Sequence, residues 1–188
     1  MLSTIKQIIE TIDQQYRETN PYWMISPETG VLLNTLARAR NATMILEVGT
    51  SIGYSALYLA DAAAATGGQV ITIESHAERF LQATNHFQQA AVNTIVTQIK
   101  GHAPEVFVDL PYTFDLVFLD ATKQEHPLYV EALKGKLSPH ALVISDNVIS
   151  HAKEMQPFLN NMHADSAFQH SIIPIGTGLL LSIYKGTN

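Results

Sequence analysis

From Met44 onward, short uninterrupted apolar runs alternate with longer amphipathic ones, an order that few architectures accommodate. "MILEV" reads as a strand, "YSALYLADAAAA" as a helix, "QVITIE" as a strand and "AERFLQATNHFQQAA" as a helix. "TIVTQI", "FDLVFLD" and "ALVISD" extend the strand series, with helical stretches expected near Ala103 to Val108, Pro127 to Leu137 and His151 to Met162. A strand with no polar alternation must be covered on both faces, which predicts a mostly parallel α/β sheet sandwiched by helices. The end breaks the pattern. "FQHSIIPIGTGLLLSIYK" holds two strands around Pro174 to Gly178 with no room for a crossover helix, so the last pair is expected to be an antiparallel hairpin.

Two helices are expected ahead of this series. Leu2, Ile5, Ile8, Ile9 and Ile12 recur at helical spacing until Asn20-Pro21 interrupts. In "SPETGVLLNTLARAR", Ser26 suits an N-cap, Pro27 the first helical position and Glu28 the positive end of the dipole. With 46% hydrophobic residues among 188, one domain with a sizeable core is expected. The balance of 11 Lys plus Arg against 17 Asp plus Glu, with no basic run, argues against a grip on nucleic acid. Cysteine is absent, which removes disulfides and thiolate metal sites and suits a reducing, cytoplasmic setting. The first residues lack the apolar stretch of a signal peptide or membrane span.

Chemistry concentrates at the strand ends. "LEVGTSIGYS" joins the first core strand to a helix, where Gly49 and Gly53 let backbone approach a ligand and the segment from Thr50 to Ser55 offers N–H groups. The G-x-x-x-G spacing differs from the G-x-G-x-x-G of dinucleotide folds, which weakens an NAD reading. Glu47, just before the first glycine, suits a cationic ligand such as a sulfonium with an amino-acid tail. Glu74 ends the second strand about 20 residues further on, where a carboxylate can accept from both hydroxyls of a ribose. Together the two elements favour an adenosine-type ligand.

"FDLVFLD" and "ALVISDN" each finish on a carboxylate. If the strands are neighbours, roughly 4.8 Å apart, Asp120, Asp146 and Asn147 converge with three oxygen ligands. Such a set suits a hard cation, Mg²⁺ first, with Ca²⁺ and Mn²⁺ as alternatives. Asp146 and Asn147 would face opposite sides of a continuing strand, so the chain must turn there. Lys123 lies three positions beyond Asp120. Beside a cation its ordinary pKa of about 10.4 is pushed down, which makes it usable as a general base toward a hydroxyl. Each residue also has a plain reading. A single strand-ending Asp more often caps a turn, Lys123 could pair with Asp120 at the surface, and Tyr22, Trp23 and Met24 could form a lid or simply pack. None of the eight histidines shows paired helical spacing for a metal.

In this order, "ISPETGVLL", "ILEVGTSIGYSAL", "VITIE", "FDLVFLDATK", "ISDNVI" and "PIGTGLLLSIYK" resemble the cation-dependent O-methyltransferases of the catechol and caffeoyl-CoA type, from about Met24 to Lys185. The resemblance implies a Rossmann-like class I S-adenosylmethionine fold with seven strands, the last antiparallel. The two N-terminal helices would occupy 1–40 and the catalytic core 41–188 of one domain. It implies cofactor contacts at Ile25, Glu47, Gly49, Thr50, Ser55, Glu74 and Ala103, metal ligands at Asp120, Asp146 and Asn147, Lys123 as base, and His151 near the acceptor. By the same analogy the chain is a homodimer acting on a small catechol-like or vicinal-diol acceptor. A hydroxylated transfer RNA nucleoside as acceptor, or a silent S-adenosylmethionine-binding module, are the alternatives. Four features depart from the family's pattern. Thr122 and Thr177 stand where relatives tend to be acidic, Ser138-Pro139-His140-Ala141 replaces a Pro-Gly-Gly turn, and the segment from Val148 to Ser171 is short.

Overall fold

The strand series forms one sheet because successive residues of each strand feed two different cores. The computed structural model describes residues 1–186. Its strands are β1 (Met44–Val48), β2 (Gln69–Glu74), β3 (Val96–Lys100), β4 (Phe114–Leu119), β5 (Leu137–Ser145), β6 (Phe168–Ile173) and β7 (Leu179–Tyr184), interleaved with helices α1 (Ser3–Tyr16), α2 (Pro27–Arg40), α3 (Tyr54–Thr66), α4 (Ala77–Gln89), α5 (His126–Leu133) and α6 (Ala152–Ala164). The sheet order is β3-β2-β1-β4-β5-β7-β6. β1 to β5 pair in parallel, and β7 runs antiparallel to both β5 and β6. This is the expected Rossmann-like methyltransferase topology, closing hairpin included.

Ile45, Val70, Leu116, Phe118 and Ile144 point into one core, where Ile5 and Ile9 of α1, Leu33 of α2, Leu57 of α3 and Phe87 of α4 meet them. Their neighbours Leu46, Ile71, Val117, Leu119 and Val143 point into the other, against Phe107, Tyr129 of α5 and Met155 and Phe158 of α6. With both faces covered, these strands are apolar at most positions, with buried exceptions such as Glu47 and Thr72 lying toward their carboxyl ends.

Local signals account for most boundaries. Ser26 accepts from the Thr29 N–H, Pro27 opens α2, and Asn41 closes it in the left-handed region at φ 53°. Ile5, Ile9 and Ile12 are buried as expected, whereas Leu2 precedes α1 and is exposed. The expected helix from Ala103 to Val108 is only one 3₁₀ turn, Glu105–Phe107, and the stretch expected as helix to Leu137 ends at Leu133 before a second such turn. The larger correction concerns Ser138 to Ala141. These residues belong to β5, which bulges there: β4 advances from Phe114 to Leu116 while β5 advances from Leu137 to Leu142. The bulge places His140 at φ 63° and is held by Arg40, which donates to the carbonyls of Pro139 and His140. No helix among the described residues is long and apolar enough to cross a membrane.

Candidate active site

The order of the sheet reverses between β1 and β4, and in open α/β sheets ligands bind at the carboxyl edge of that switch point. A cavity of about 310 Å³ opens there. It is lined by the carboxyl ends of four strands and the loops leaving them: Val48 and Gly49, Ile73 to Ser75, Gly101 to Ala103, and Asp120 to Lys123. Tyr22, Trp23, Ser51, Arg79 and Tyr129 complete the wall.

Gly49 is required by both conformation and space. Its φ is 103°, and a Cβ there would lie 2.1 Å from the Asp120 carbonyl oxygen. The loop it opens is more self-contained than expected. The N–H groups of Gly49 and Thr50 both donate to the Ile73 carbonyl, that of Ser51 to Glu74 Oε2, and that of Gly53 to the Thr50 carbonyl. Three of the donors expected to face a ligand, those of Thr50, Ser51 and Gly53, are therefore already used within the protein.

Glu74 forms the opposite side. Its Oε1 accepts from the His76 N–H at 2.7 Å and from Arg79 at 2.9 Å, so the carboxylate is fixed in the cavity wall. Glu47 lies beneath, fully buried and outside the lining. Its Oε2 accepts from the Thr72 hydroxyl, which also meets the Thr50 hydroxyl, while Oε1 has no partner. Burial pushes the Glu47 carboxyl up to about 7, against the hydrogen bond from Thr72 that pulls it down. Thr50, Ser55 and Ile25 are likewise buried and do not line the cavity; Ala103 does.

The two carboxylate-tipped strands are neighbours. β4 pairs with β5 up to Leu119 opposite Ser145, and the Asp146 N–H donates to the Leu119 carbonyl. The chain then turns as anticipated, with Asn147 in the left-handed region at φ 69°. Asp146 is 2% exposed, and burial together with the charge of Asp120 pushes its carboxyl up to about 6. Asp120 is raised too, by burial, against the nearby Lys123 charge. Lys123 Nζ lies 3.3 Å from Asp120 Oδ1 and 3.1 Å from the Ala121 carbonyl, in the cavity wall.

Two observations bear on whether a cation suits this corner. Among the described residues no group of three or more His, Cys, Asp or Glu side chains is arranged to hold a metal ion, so the donor set here is two carboxylates and one amide. That amide is itself incomplete: Asn147 Oδ1 is buried without a partner, next in sequence to Asp146, whose carboxyl is raised by burial and by the charge of Asp120. An orphaned amide oxygen on the strand tip that carries Asp146, with Asp120 on the neighbouring tip, fits a hard divalent ion. His151 is exposed at the start of α6, its Nδ1 against the Ser150 hydroxyl, and outside the cavity lining.

The family model for O-methyltransferases matches residues 3–185. The chain belongs to that family. A catechol O-methyltransferase of Niastella koreensis is 31% identical over 137 residues, covering 71% of this chain and 62% of that protein. One of Mycobacterium tuberculosis is 33% identical over 130 residues, covering 69% and 59%. The chain thus spans about three fifths of these curated relatives. The O-methyltransferase TomG of Streptomyces achromogenes, involved in tomaymycin synthesis and solved in complex with S-adenosylmethionine, superposes with a TM-score of 0.84 at 27% identity, over 99% of this chain and 91% of that one.

Sequence reasoning missed Arg79, His102, Tyr129 and the hydroxyl of Thr177 as parts of this region. Arg79 lies five residues beyond Glu74, a spacing at which the first turn of a helix can fold back on a strand end. Thr177 Oγ1 donates to Asp146 Oδ1 across 31 residues, and no local signal announces that contact.

Proposed function

We propose that the chain transfers the methyl group of S-adenosylmethionine to a hydroxyl of a small catechol-like or vicinal-diol acceptor held at a divalent cation. The observation that carries this reading is the junction of the glycine turn with Asp120: one cavity places Glu74 at one end and Asp120 with Lys123 at the other. Glu74, fixed by Ser51, His76 and Arg79, would accept from the ribose hydroxyls, and Gly49 would let the methionine portion lie against backbone. The partnerless Glu47 Oε1 beneath that turn complements a positively charged donor. Asp120, Asp146 and Asn147 would hold the cation. A bound ion of this kind supplies Lewis acidity that makes an acceptor hydroxyl easier to deprotonate.

Lys123 Nζ would receive the hydroxyl proton, and Asp120 orients that amine through their contact. Tyr22 and Trp23 would narrow the mouth and limit water. Transfer is then chiefly a matter of alignment between two ends of one rigid cavity. The net charge of −6 supports a small acceptor over nucleic acid, and a cytoplasmic enzyme is consistent with the absence of cysteine.

Methyl transfer from labelled S-adenosylmethionine to a panel of catechols tests this directly. Activity should disappear with EDTA, return with Mg²⁺ and be lost in Asp120→Ala. Activity that survives both EDTA and Asp120→Ala refutes the cation's role.

A further inference from the structure

Among the contacts around the strand tips, one comes from a distant element. The turn between β6 and β7 folds over the segment just past Asn147. The Val148 N–H donates to the Gly178 carbonyl, and those of Ile149 and Ser150 both donate to the Thr177 carbonyl. Gly178, at φ 87°, lies so close to Ile149 that a Cβ would meet its side chain at 2.3 Å. On its other side Gly176 abuts the hydroxyls of Thr29 and Ser26 at the start of α2. The turn is thereby wedged between the N-terminus of α2 and the tip of β5, with Thr177 at its centre.

Its hydroxyl donates to Asp146 Oδ1, which also accepts from the Asn147 N–H at 2.7 Å. Two donors thus converge on one oxygen, and among the described residues none reaches Oδ2. A carboxylate held this way cannot rotate freely about its terminal bond, and it presents one particular oxygen outward. Asp146 is also the most deeply enclosed of the two carboxylates and the amide, so it needs such a restraint most.

We infer that Thr177 is a positioning residue for the cation site: its hydroxyl saturates Asp146 Oδ1 and reserves Oδ2 for the ion. The inference rests on the cation reading proposed for Asp120, Asp146 and Asn147. An acidic side chain at this position would face Asp146 with a like charge, whereas a hydroxyl provides the donor the carboxylate needs. Thr177 touches neither acceptor nor donor in this role and acts only through Asp146.

Titration with Mn²⁺, monitored by calorimetry and by the electron paramagnetic resonance of the free ion, reads the effect without any methyl transfer. Thr177→Val keeps the shape but removes the donor, and should weaken Mn²⁺ binding about tenfold, as loss of an outer-shell partner typically does. Thr177→Ser keeps the hydroxyl and should bind within about threefold of the unaltered chain, a rescue that a merely packing role of the methyl group would not produce. Thermal melting without added metal checks that both variants fold. If the unaltered chain binds Mn²⁺ and Thr177→Val binds it equally well or more tightly, the positioning role is overturned while the cation reading stands. If the unaltered chain binds no Mn²⁺, with or without S-adenosylhomocysteine, both fall together.

Discussion

His126 offers a sharp test of the energetics, because it is fully buried and neither ring nitrogen has a partner. Its ring sits 5.8 Å from that of Tyr129 and edge-on to Phe158 at 5.3 Å. Burial, reinforced by the Lys123 charge, pushes the imidazole down to about 3 from an ordinary 6.5. Above the unfolded value both states are neutral and the residue is indifferent to pH. Between the two values the unfolded chain takes up a proton that the folded chain refuses, so stability falls as the solution is acidified. Each pH unit in that window costs about 1.4 kcal/mol, hence about 2 kcal/mol by about pH 5. Replacing His126 with Phe keeps an aromatic ring and abolishes the titration. Urea unfolding monitored by circular dichroism at about pH 7.5 and about pH 5 should then show the variant holding about 2 kcal/mol that the unaltered chain loses, a midpoint difference near 1 M for an m-value of about 2 kcal/mol/M. Raised carboxyls such as Glu47 respond in the opposite sense but are common to both proteins and cancel. Equal losses in the two proteins would refute the account of His126 as a buried neutral imidazole.

Other perturbations address the cavity and the frame. Arg79→Gln removes the ion pair that fixes Glu74 and should weaken S-adenosylhomocysteine about tenfold by calorimetry, with smaller loss for its 2′-deoxy analogue, a cost of about 1.4 kcal/mol. Lys123→Met should lower kcat by a factor on the order of 10² to 10⁴ while leaving cofactor affinity close to unchanged; a rise in KM with kcat unchanged would remove it as the proton acceptor. Asp61, 2% exposed, accepts from the Leu2 N–H, Asn34 and Arg38 and so ties the start of α1 and the face of α2 to α3. Asp61→Ala strands those donors and should destabilise by about 3 kcal/mol, lowering the melting temperature by roughly 6 to 12 °C, and a shift under about 2 °C would contradict this.

Legibility in the chain depended on which forces act locally. Strands buried on both faces must be apolar at most positions, so "MILEV" and "FDLVFL" declared themselves, and the acidic residues near their carboxyl ends, Glu47 and Asp120, marked the sheet edge on which the cavity opens. The turn at Asn147 was legible for the same reason: two adjacent polar side chains cannot both serve one site from a continuing strand. The start of β5 was hidden because Ser138, Pro139 and His140 carry turn chemistry, and only the bulge together with Arg40, about 100 residues away in sequence, makes strand of them. Spacing pointed to N–H groups between Thr50 and Ser55 without showing that Ile73 and Glu74 had already engaged those of Thr50 and Ser51. Arg79 and Thr177 act through partners that only the folded sheet brings near. Tyr22 and Trp23 reach the cavity through an irregular segment pinned by Asn20 on Met24 and by Arg17 on the Ile25 carbonyl, which no periodicity encodes.

The close approach of Gly49 to the Asp120 carbonyl makes the floor of the cavity a single piece. The Asp120 N–H donates to the Val48 carbonyl one residue earlier, so the two strand ends cannot slide or separate independently. If the proposed reading holds, a lineage that retunes its choice of acceptor has no freedom on this floor, since any change there would disturb donor and acceptor seats together. Under the proposed reading, diversification is left to the rim at Tyr22, Trp23 and Thr122, where new side chains can be tried while the distance across which a methyl group must travel stays constant.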